Sequence, residues 1–480
     1  MTSTVPDTHT SNCVFCQHNR AFDTPSAVLD ALKRGTLTIF AGAGVSTEVY
    51  SAFPTTLYSE LRVQAGLEED ADLTFPAVMS AFEAKFTRRA LISEIVERFE
   101  YAESFPFIHR AATRFPRELA TIGHIQTVVT TNWDTSFEDF CSARPFVVDE
   151  DYAYYDLPGR KVFKIHGSVR NVSTLIATNE DYARREEEFR TSALGSTLKH
   201  LLATTVVVFV GYSLTDPDFQ SVYRGLLAGL GRSRPPAFLV SPFPSPEAHK
   251  FGLQVIDTDG TFFLHTLKKA LIEADQLFPE EALDRLATLR SRAISARGQI
   301  EAMNWREHPA LFFSLSYLDG MVDATERSLA RADSGETSHK DHVAHIIRSY
   351  DRILGIAIES NRWWDAAYVN GYRIALYSMF MGEAEVSGIE MFEAFDYAPY
   401  PGIVEDCDGN DADPDEASHH LNEDEIVRRF HESTTTAHDS IHEQFQRLSE
   451  HFGAPDVPRH TPFIDELMKE FEQRPLRCTE

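Results

Sequence analysis

The sequence predicts an α/β protein: a mainly parallel sheet with helices on both faces, followed by a mainly α-helical C-terminal region. Three observations predict it. Between residues 21 and 275, short apolar strand signals alternate with helical ones, the pattern of a parallel sheet crossed by helices. The strands are continuous apolar runs, as expected for a sheet covered on both faces. From Pro279 onward helical periodicity dominates.

Thr36–Phe40 reads as a short strand entering a glycine turn, with a helix beginning near Val45. Residues 76–120 are mostly helical, with apolar positions at three- and four-residue spacing. Ile125–Thr130, Val162–Ile165, the β-branched Val206–Val210 and Phe238–Val240 are further strands, and Leu253–Asp257 is a candidate sixth. Beyond the change of character, Glu280–Ile300, Pro309–Ala330, His339–Ser360 and Trp363–Met381 read as helices, as do Glu423–His451 and Phe463–Gln473. Residues 405–425 are acidic and turn-rich with no Lys or Arg, a solvated loop. Trp363–Tyr377 weakly resembles one tetratricopeptide helix pair, but nothing repeats it. The expected organisation is a polar leader (1–20), an α/β domain (21–275) and a helical domain (276–480).

Composition narrows the function classes. At roughly 150 residues per domain, 480 residues allow two to three domains, and 43% hydrophobic residues supply real cores. A formal charge of −28 disfavours nonspecific binding to nucleic acid or anionic membrane. No stretch reaches the roughly 18 to 20 apolar residues of a membrane helix. The N-terminus lacks the basic and apolar regions of a secretory signal. Five scattered cysteines are too few for a disulfide framework, so the expected compartment is a reducing cytoplasm. Cys13 and Cys16, near His18, form the only CxxC. A zinc site needs four ligands, so the pair reads as part of a mobile leader or as a half-site completed by distant residues.

Four strand ends carry the candidate chemistry. In TLTIFAGAGVS, Gly42-Ala43-Gly44 lets the backbone approach a pyrophosphate, and a following helix N-terminus offers free N–H groups. A third glycine is missing at position 47, and a plain strand–helix turn explains the glycines as well. In VVTTNWD, Asn132 offers donor and acceptor, and Asp134 accepts from a hydroxyl or amide; capping of the next helix is the alternative. In FKIHGS, His166 can serve as a base near neutral pH, although a lone histidine is often structural. In VVVFVGYSLTDPD, Gly211 and Ser213 can approach a phosphate or ribose, or simply leave the strand.

Taken in order, GAG…S, TN…D, HG and GYS resemble the sirtuin family over roughly residues 22–275. The resemblance implies a Rossmann-like domain that binds NAD and cleaves its nicotinamide–ribose bond. It implies that Ala41, Gly42, Gly44 and Ser46 line the pyrophosphate and adjacent ribose. Asn132, beside Thr131, holds the nicotinamide-side ribose or the attacking water. Asp134 recognises the carboxamide, and His166 is the general base. Gly211, Tyr212 and Ser213 support the adenosine half, with Ser241 standing where the family usually has an Asn.

Departures from the family redirect the function. The next cysteine after His166 is Cys407, so the zinc ribbon of protein-deacylating sirtuins is missing and no metal is demanded. The Pro-Asp-Phe-Arg loop is replaced by Ser51-Ala52-Phe53-Pro54-Thr55. The chain is thus similar to a divergent bacterial antiphage branch that hydrolyses NAD as substrate, depleting it in abortive infection. The helical domain is either a stabilising appendage or the expected gate, through homo-oligomerisation, a phage protein, or a partner such as a HerA-type ATPase or a short Argonaute. One effector of the branch ends in a second nucleotide-binding α/β domain; no second glycine-rich strand turn follows residue 276, so such a sensor is not expected here. The alternatives are a catalytically silent subunit that binds NAD or ADP-ribose, and an NAD-dependent deacylase or ADP-ribosyl transferase. The sequence leaves open the trigger, the oligomer, the role of Cys13 and Cys16, and a linear or cyclic product.

Overall fold

The computed structural model describes residues 16–391, apart from 47, 50, 51, 69–72, 302–310, 333, 334, 336, 361 and 390. Cys13, the acidic stretch 405–425 and the expected helices Glu423–His451 and Phe463–Gln473 lie outside the described residues. The chain divides into two compact units, Met1–Asp275 with Asp333–Glu336, and Gln276–Ala332 with Thr337–Glu480.

In chain order the first unit contains α1 (Ser26–Lys33), β1 (Leu37–Ala41), α2 (Leu57–Ala65), α3 (Phe75–Lys85), α4 (Arg88–Ser104), α5 (Pro106–Ala120), β2 (Thr127–Thr130) and α6 (Ser136–Cys141). It continues through β3 (Arg144–Phe146), β4 (Lys161–Lys164), α7 (Asn179–Thr191), α8 (Ala193–Thr204), β5 (Val206–Val210), α9 (Pro217–Leu230), β6 (Ala237–Val240), α10 (Pro246–Lys250), β7 (Gln254–Ile256) and α11 (Gly260–Glu273). The seven strands form one sheet in the order β3-β4-β2-β1-β5-β6-β7, and each neighbouring pair is parallel. The chain runs outward from β1 through β2 and returns to the other side of β1 as β5. The switch point, where open parallel sheets bind ligands, therefore lies between β1 and β5.

The apolar strands are buried on both faces. Phe40, Val129, Phe163, Phe209 and Leu239 pack with Leu198, Leu202, Phe219 and Tyr223 of α8 and α9 on one face. A separate cluster joins α2, α3 and α4 through Leu61, Val78, Phe82, Leu91 and Ile95 to Trp133, Leu175 and Ala177 beyond the strand ends. At the amino edge of the sheet, buried Arg160 donates to the carbonyls of Leu119 (3.2 Å), Ile122 (2.9 Å), Ile125 (2.7 Å) and Cys141 (3.3 Å), satisfying acceptors that two helix ends leave open.

The sequence reading needs local corrections. β3 was not expected: three residues with a central proline, Arg144-Pro145-Phe146, are too short to show a period, and proline suits an edge strand. The helical stretch 76–120 is three helices, broken at Phe86–Thr87, where Thr87 caps α4 by accepting from Ala90 N, and at Phe105, before the proline that opens α5. No α-helix begins at Val45. Ala43–Val45 is a single 3₁₀ turn, and the next helix starts at Leu57. Of the leader, residues 16–20 are docked rather than free. Asp259 N donates to His18 O (3.1 Å), the His18 ring packs on Phe243 (5.0 Å), and Arg20 pairs with Asp257.

The second unit contains α12 (Glu280–Glu301), α13 (Leu311–Ala330), α14 (Lys340–Glu359), α15 (Trp363–Tyr377) and the short α16 (Glu383–Ser387). The helix expected to run to Met381 thus ends at Tyr377. One apolar cluster, including Leu286, Leu289, Tyr317, Met321, Ile347 and Ala375, holds these helices together. α13 and α15 cross closely because glycines face backbone: a Cβ on Gly371 would lie 1.8 Å from Tyr317 O, and one on Gly320 1.9 Å from Tyr368 O. Gly371→Ala gains about 1 kcal/mol of helix propensity but forces the helices apart, a cost of at least about 2 kcal/mol. The expected result is a lower urea midpoint. Gly355→Ala in α14, whose added Cβ meets nothing within 4 Å, is expected to raise it; equal shifts in the two variants would contradict the close crossing.

Candidate active site

Register aligns the sequence signals. Ala41 is level with Thr130 and with Val210, and Thr130 is level with Lys164. Two residues beyond that row stand Ala43, Asn132, Tyr212 and His166, so four segments far apart in sequence leave the sheet at one height.

Between β1 and β2 the exits are joined by side chains. Ser46 Oγ donates to Asp134 Oδ2 (2.8 Å) and accepts from Asn132 Nδ2 (3.1 Å). Asp134 Oδ1 accepts from Ser136 N (2.9 Å), so this carboxylate both steadies the start of α6 and faces Ser46. Thr130 Oγ1 donates to Ala41 O (2.9 Å) and accepts from Asn132 N (3.0 Å), while Thr131 N donates to Ala41 O (3.2 Å). Ser46, Asn132 and Asp134 are all buried. Asn132 Oδ1 is buried and has no hydrogen-bond partner among the described residues. A buried amide oxygen left open is costly, so this acceptor suits a donor from a bound molecule.

Between β1 and β5 the two glycine turns interlock. Gly42 N donates to Val210 O (2.9 Å), and Gly44 N to Gly211 O (3.0 Å). A Cβ on Gly42 would lie 2.4 Å from Gly211 O, and Gly211 itself has φ +60°. The close approach of backbone to backbone accounts for glycine at 42 and 211. Val45 N and Ser46 N donate to Gly42 O (3.2 Å) and Ala43 O (3.1 Å). The expectation of several free amides at a helix start is therefore corrected: those of Gly42 and Gly44 are taken by Val210 O and Gly211 O, and those of Val45 and Ser46 by the 3₁₀ turn itself.

His166 is buried, stacked edge-on against Tyr182 of α7 with ring centroids 4.9 Å apart. Its carbonyl accepts from Ile176 N (3.0 Å). Tyr182 in turn donates to Asp216 Oδ1 (3.0 Å) at the start of α9. The remaining expected residues stand apart from the Ser46–Asn132–Asp134 group. The Tyr212 ring belongs to the core, 4.8 Å from Phe40. Exposed Ser213 bonds Thr215 (2.7 Å), and Ser241 closes a local turn with Phe243 through bonds of 3.0 and 3.1 Å. A cavity of about 460 Å³ opens near Thr174, Ile176, Arg184 and Arg185; none of Ser46, Asn132, Asp134 or His166 lines it.

The sequence reading missed the groups beneath the site. Lys164 is fully buried and donates to Asp134 O and to Glu138 Oε1 (3.1 Å). Burial pushes the Glu138 carboxyl up despite the lysine's opposing pull. The lysine in the apolar run VFKIHG was the available signal, since an unpaired charge does not survive in a doubly covered strand. Glu48 and buried Arg98 form a second, partly buried pair (2.8 Å); burial likewise raises the Glu48 pKa. No spacing in the sequence marks these two. Among the described residues no group of three or more His, Cys, Asp or Glu could hold a metal ion. No described helix is long and apolar enough to cross a membrane.

Residues 126–256 match the SIR2-like domain family. The chain is 25% identical over 220 residues to an NAD(+) hydrolase ThsA of Enterococcus faecium, covering 44% of each chain. It is 24% identical over 210 residues to an NAD(+) hydrolase ThsA of Cytobacillus dafuensis, covering 42% of this chain and 40% of the relative. The chain thus spans less than half the length of the curated relatives it matches.

Proposed function

We propose, from the premise that the chain carries a sirtuin-like domain, that it hydrolyses the nicotinamide–ribose bond of NAD, releasing nicotinamide and ADP-ribose. The observation that carries the reading is the buried Ser46–Asn132–Asp134 network at the carboxyl edge of β1 and β2, with the open acceptor of Asn132 in it. The matched relatives, named as NAD(+) hydrolases, support it.

Cleaving the bond develops oxocarbenium character at the ribose, as in glycoside hydrolysis. A site for it must orient the ring, stabilise the charge and admit one nucleophile. Asn132 Oδ1 accepts a hydrogen bond from a ribose hydroxyl or from the attacking water, while Nδ2 is fixed by Ser46. Each Asp134 oxygen holds one donor and keeps a second lone pair, which accepts the carboxamide N–H. His166 takes the proton of the ribose hydroxyl or of water. In this reading NAD is the substrate, consumed in a cytoplasmic antiphage response. The helical unit gates the activity through self-association or a protein partner such as a HerA-type ATPase, a short Argonaute or a phage protein.

The test is NAD consumption by the full chain, followed by chromatography with and without candidate partners. Equimolar nicotinamide and ADP-ribose are expected. NAD that binds but stays intact under every condition would replace this reading with that of a silent binding subunit.

A further inference from the structure

We infer that Arg98 is a positioning residue for the dinucleotide site, holding the loop between β1 and α2 in its binding-competent form. The inference rests on the NAD-cleaving reading above. Residues 46–56 contain no Lys or Arg, yet a guanidinium sits in the loop, delivered from α4. Arg98 Nε donates to Glu48 Oε1 (2.8 Å), Nη1 to Glu60 Oε2 (3.1 Å) and Nη2 to Thr55 O (2.8 Å). Its guanidinium carbon lies 3.9 Å from the centroid of the Phe53 ring. Arg98 is only 7% exposed.

The connection to the site is two bonds long. Glu48 N donates to Ala43 O (3.1 Å) in the glycine turn, and its carboxylate also accepts from Leu57 N (3.3 Å) at the start of α2. Ser46, two residues before Glu48, bonds Asp134 and Asn132. Three acceptors at fixed angles and an aromatic face call for the planar fork of arginine, which lysine does not reproduce. α4 itself is anchored by Leu91 and Ile95, so loss of the guanidinium loosens the loop and leaves the helix packed.

The experiment uses the full chain with Arg98→Ala and Arg98→Lys. If the competent loop population falls to about a tenth, the apparent affinity falls by the same factor. The expected result for Arg98→Ala is thus a KM for NAD raised about tenfold, with kcat little changed. Added guanidinium ion should recover part of the loss, Arg98→Lys should be intermediate, and the chain should stay folded with a lowered unfolding midpoint, a cost limited because Glu48 keeps contact with water at 20% exposure. Amide exchange in residues 42–56, measured without NAD, should be faster in Arg98→Ala. An unchanged KM, or a loss that guanidinium cannot rescue, overturns the proposal. A wild-type chain that leaves NAD intact with every candidate partner defeats the functional reading instead; the exchange result then decides on Arg98 by itself, and unchanged protection rejects it.

Discussion

Asn132→Ala and His166→Ala are each expected to reduce nicotinamide release by about 10²- to 10⁴-fold while the far-ultraviolet circular dichroism stays that of the wild type. Neither side chain holds the sheet together. Among the described residues Asn132 bonds through its side chain only to Ser46, and the backbone around it is fixed by Thr130 and Ala41. His166 packs its ring on Tyr182, but the segment is also held by main-chain bonds, Ile165 N to Thr130 O (2.9 Å) and Ile176 N to His166 O (3.0 Å). The two losses differ in kind. Without Asn132 the ribose or water loses its acceptor, and Ser46 keeps only Asp134. In the proposed reaction no base takes the proton without His166, so external imidazole should restore some turnover to His166→Ala and none to Asn132→Ala. Wild-type rates in both variants would show that the site has been misplaced.

How much of this was legible depended on whether the signal was local. The strand exits were readable because each motif sits within a few residues of an apolar run, and the parallel register then brings them level. The choice between the two meanings of the glycines, phosphate cradle or tight turn, was not readable. Gly42 looks like a phosphate cradle in one dimension, but its lack of a Cβ is explained by Gly211, 169 positions away. The same holds for Gly371 against Tyr317 in the helical unit. Arg98 was equally hidden, because its partners at 48, 55 and 60 are assembled by the fold rather than by spacing. The resemblance alone places Tyr212 beside the adenosine half, and no local signal shows that its ring packs in the core. β3 escaped notice because three residues carry no periodicity.

Lys164 is the position where stability and activity are expected to part. Its ammonium is 0% exposed and Glu138 6% exposed, so the pair has lost nearly all its hydration. Removing one partner of such a pair costs about 3–5 kcal/mol, whereas replacing both by apolar groups is often neutral or stabilising. Lys164→Met is therefore expected to lower the urea midpoint sharply, and Lys164→Met with Glu138→Leu to recover it. The single variant also acquires a pH signature. Burial already raises the Glu138 pKa, and loss of the lysine removes the charge that opposes this. The folded state then retains a proton that the unfolded chain releases, so fewer protons are bound on unfolding and stability falls with rising pH. The deficit should be small below about pH 4.3, the ordinary glutamate value, grow up to the raised folded-state value, and level off above it. Activity should not follow stability. Lys164 also donates to the main-chain oxygen of Asp134, and neither Met nor Leu replaces that donor. The double variant should thus fold as well as the wild type and still be slower in the proposed NAD cleavage, because the Asp134 turn has lost its tie. A double variant that regains both stability and rate would show that the lysine serves the fold alone; a single variant as stable as the wild type would show that the pair is not buried in solution.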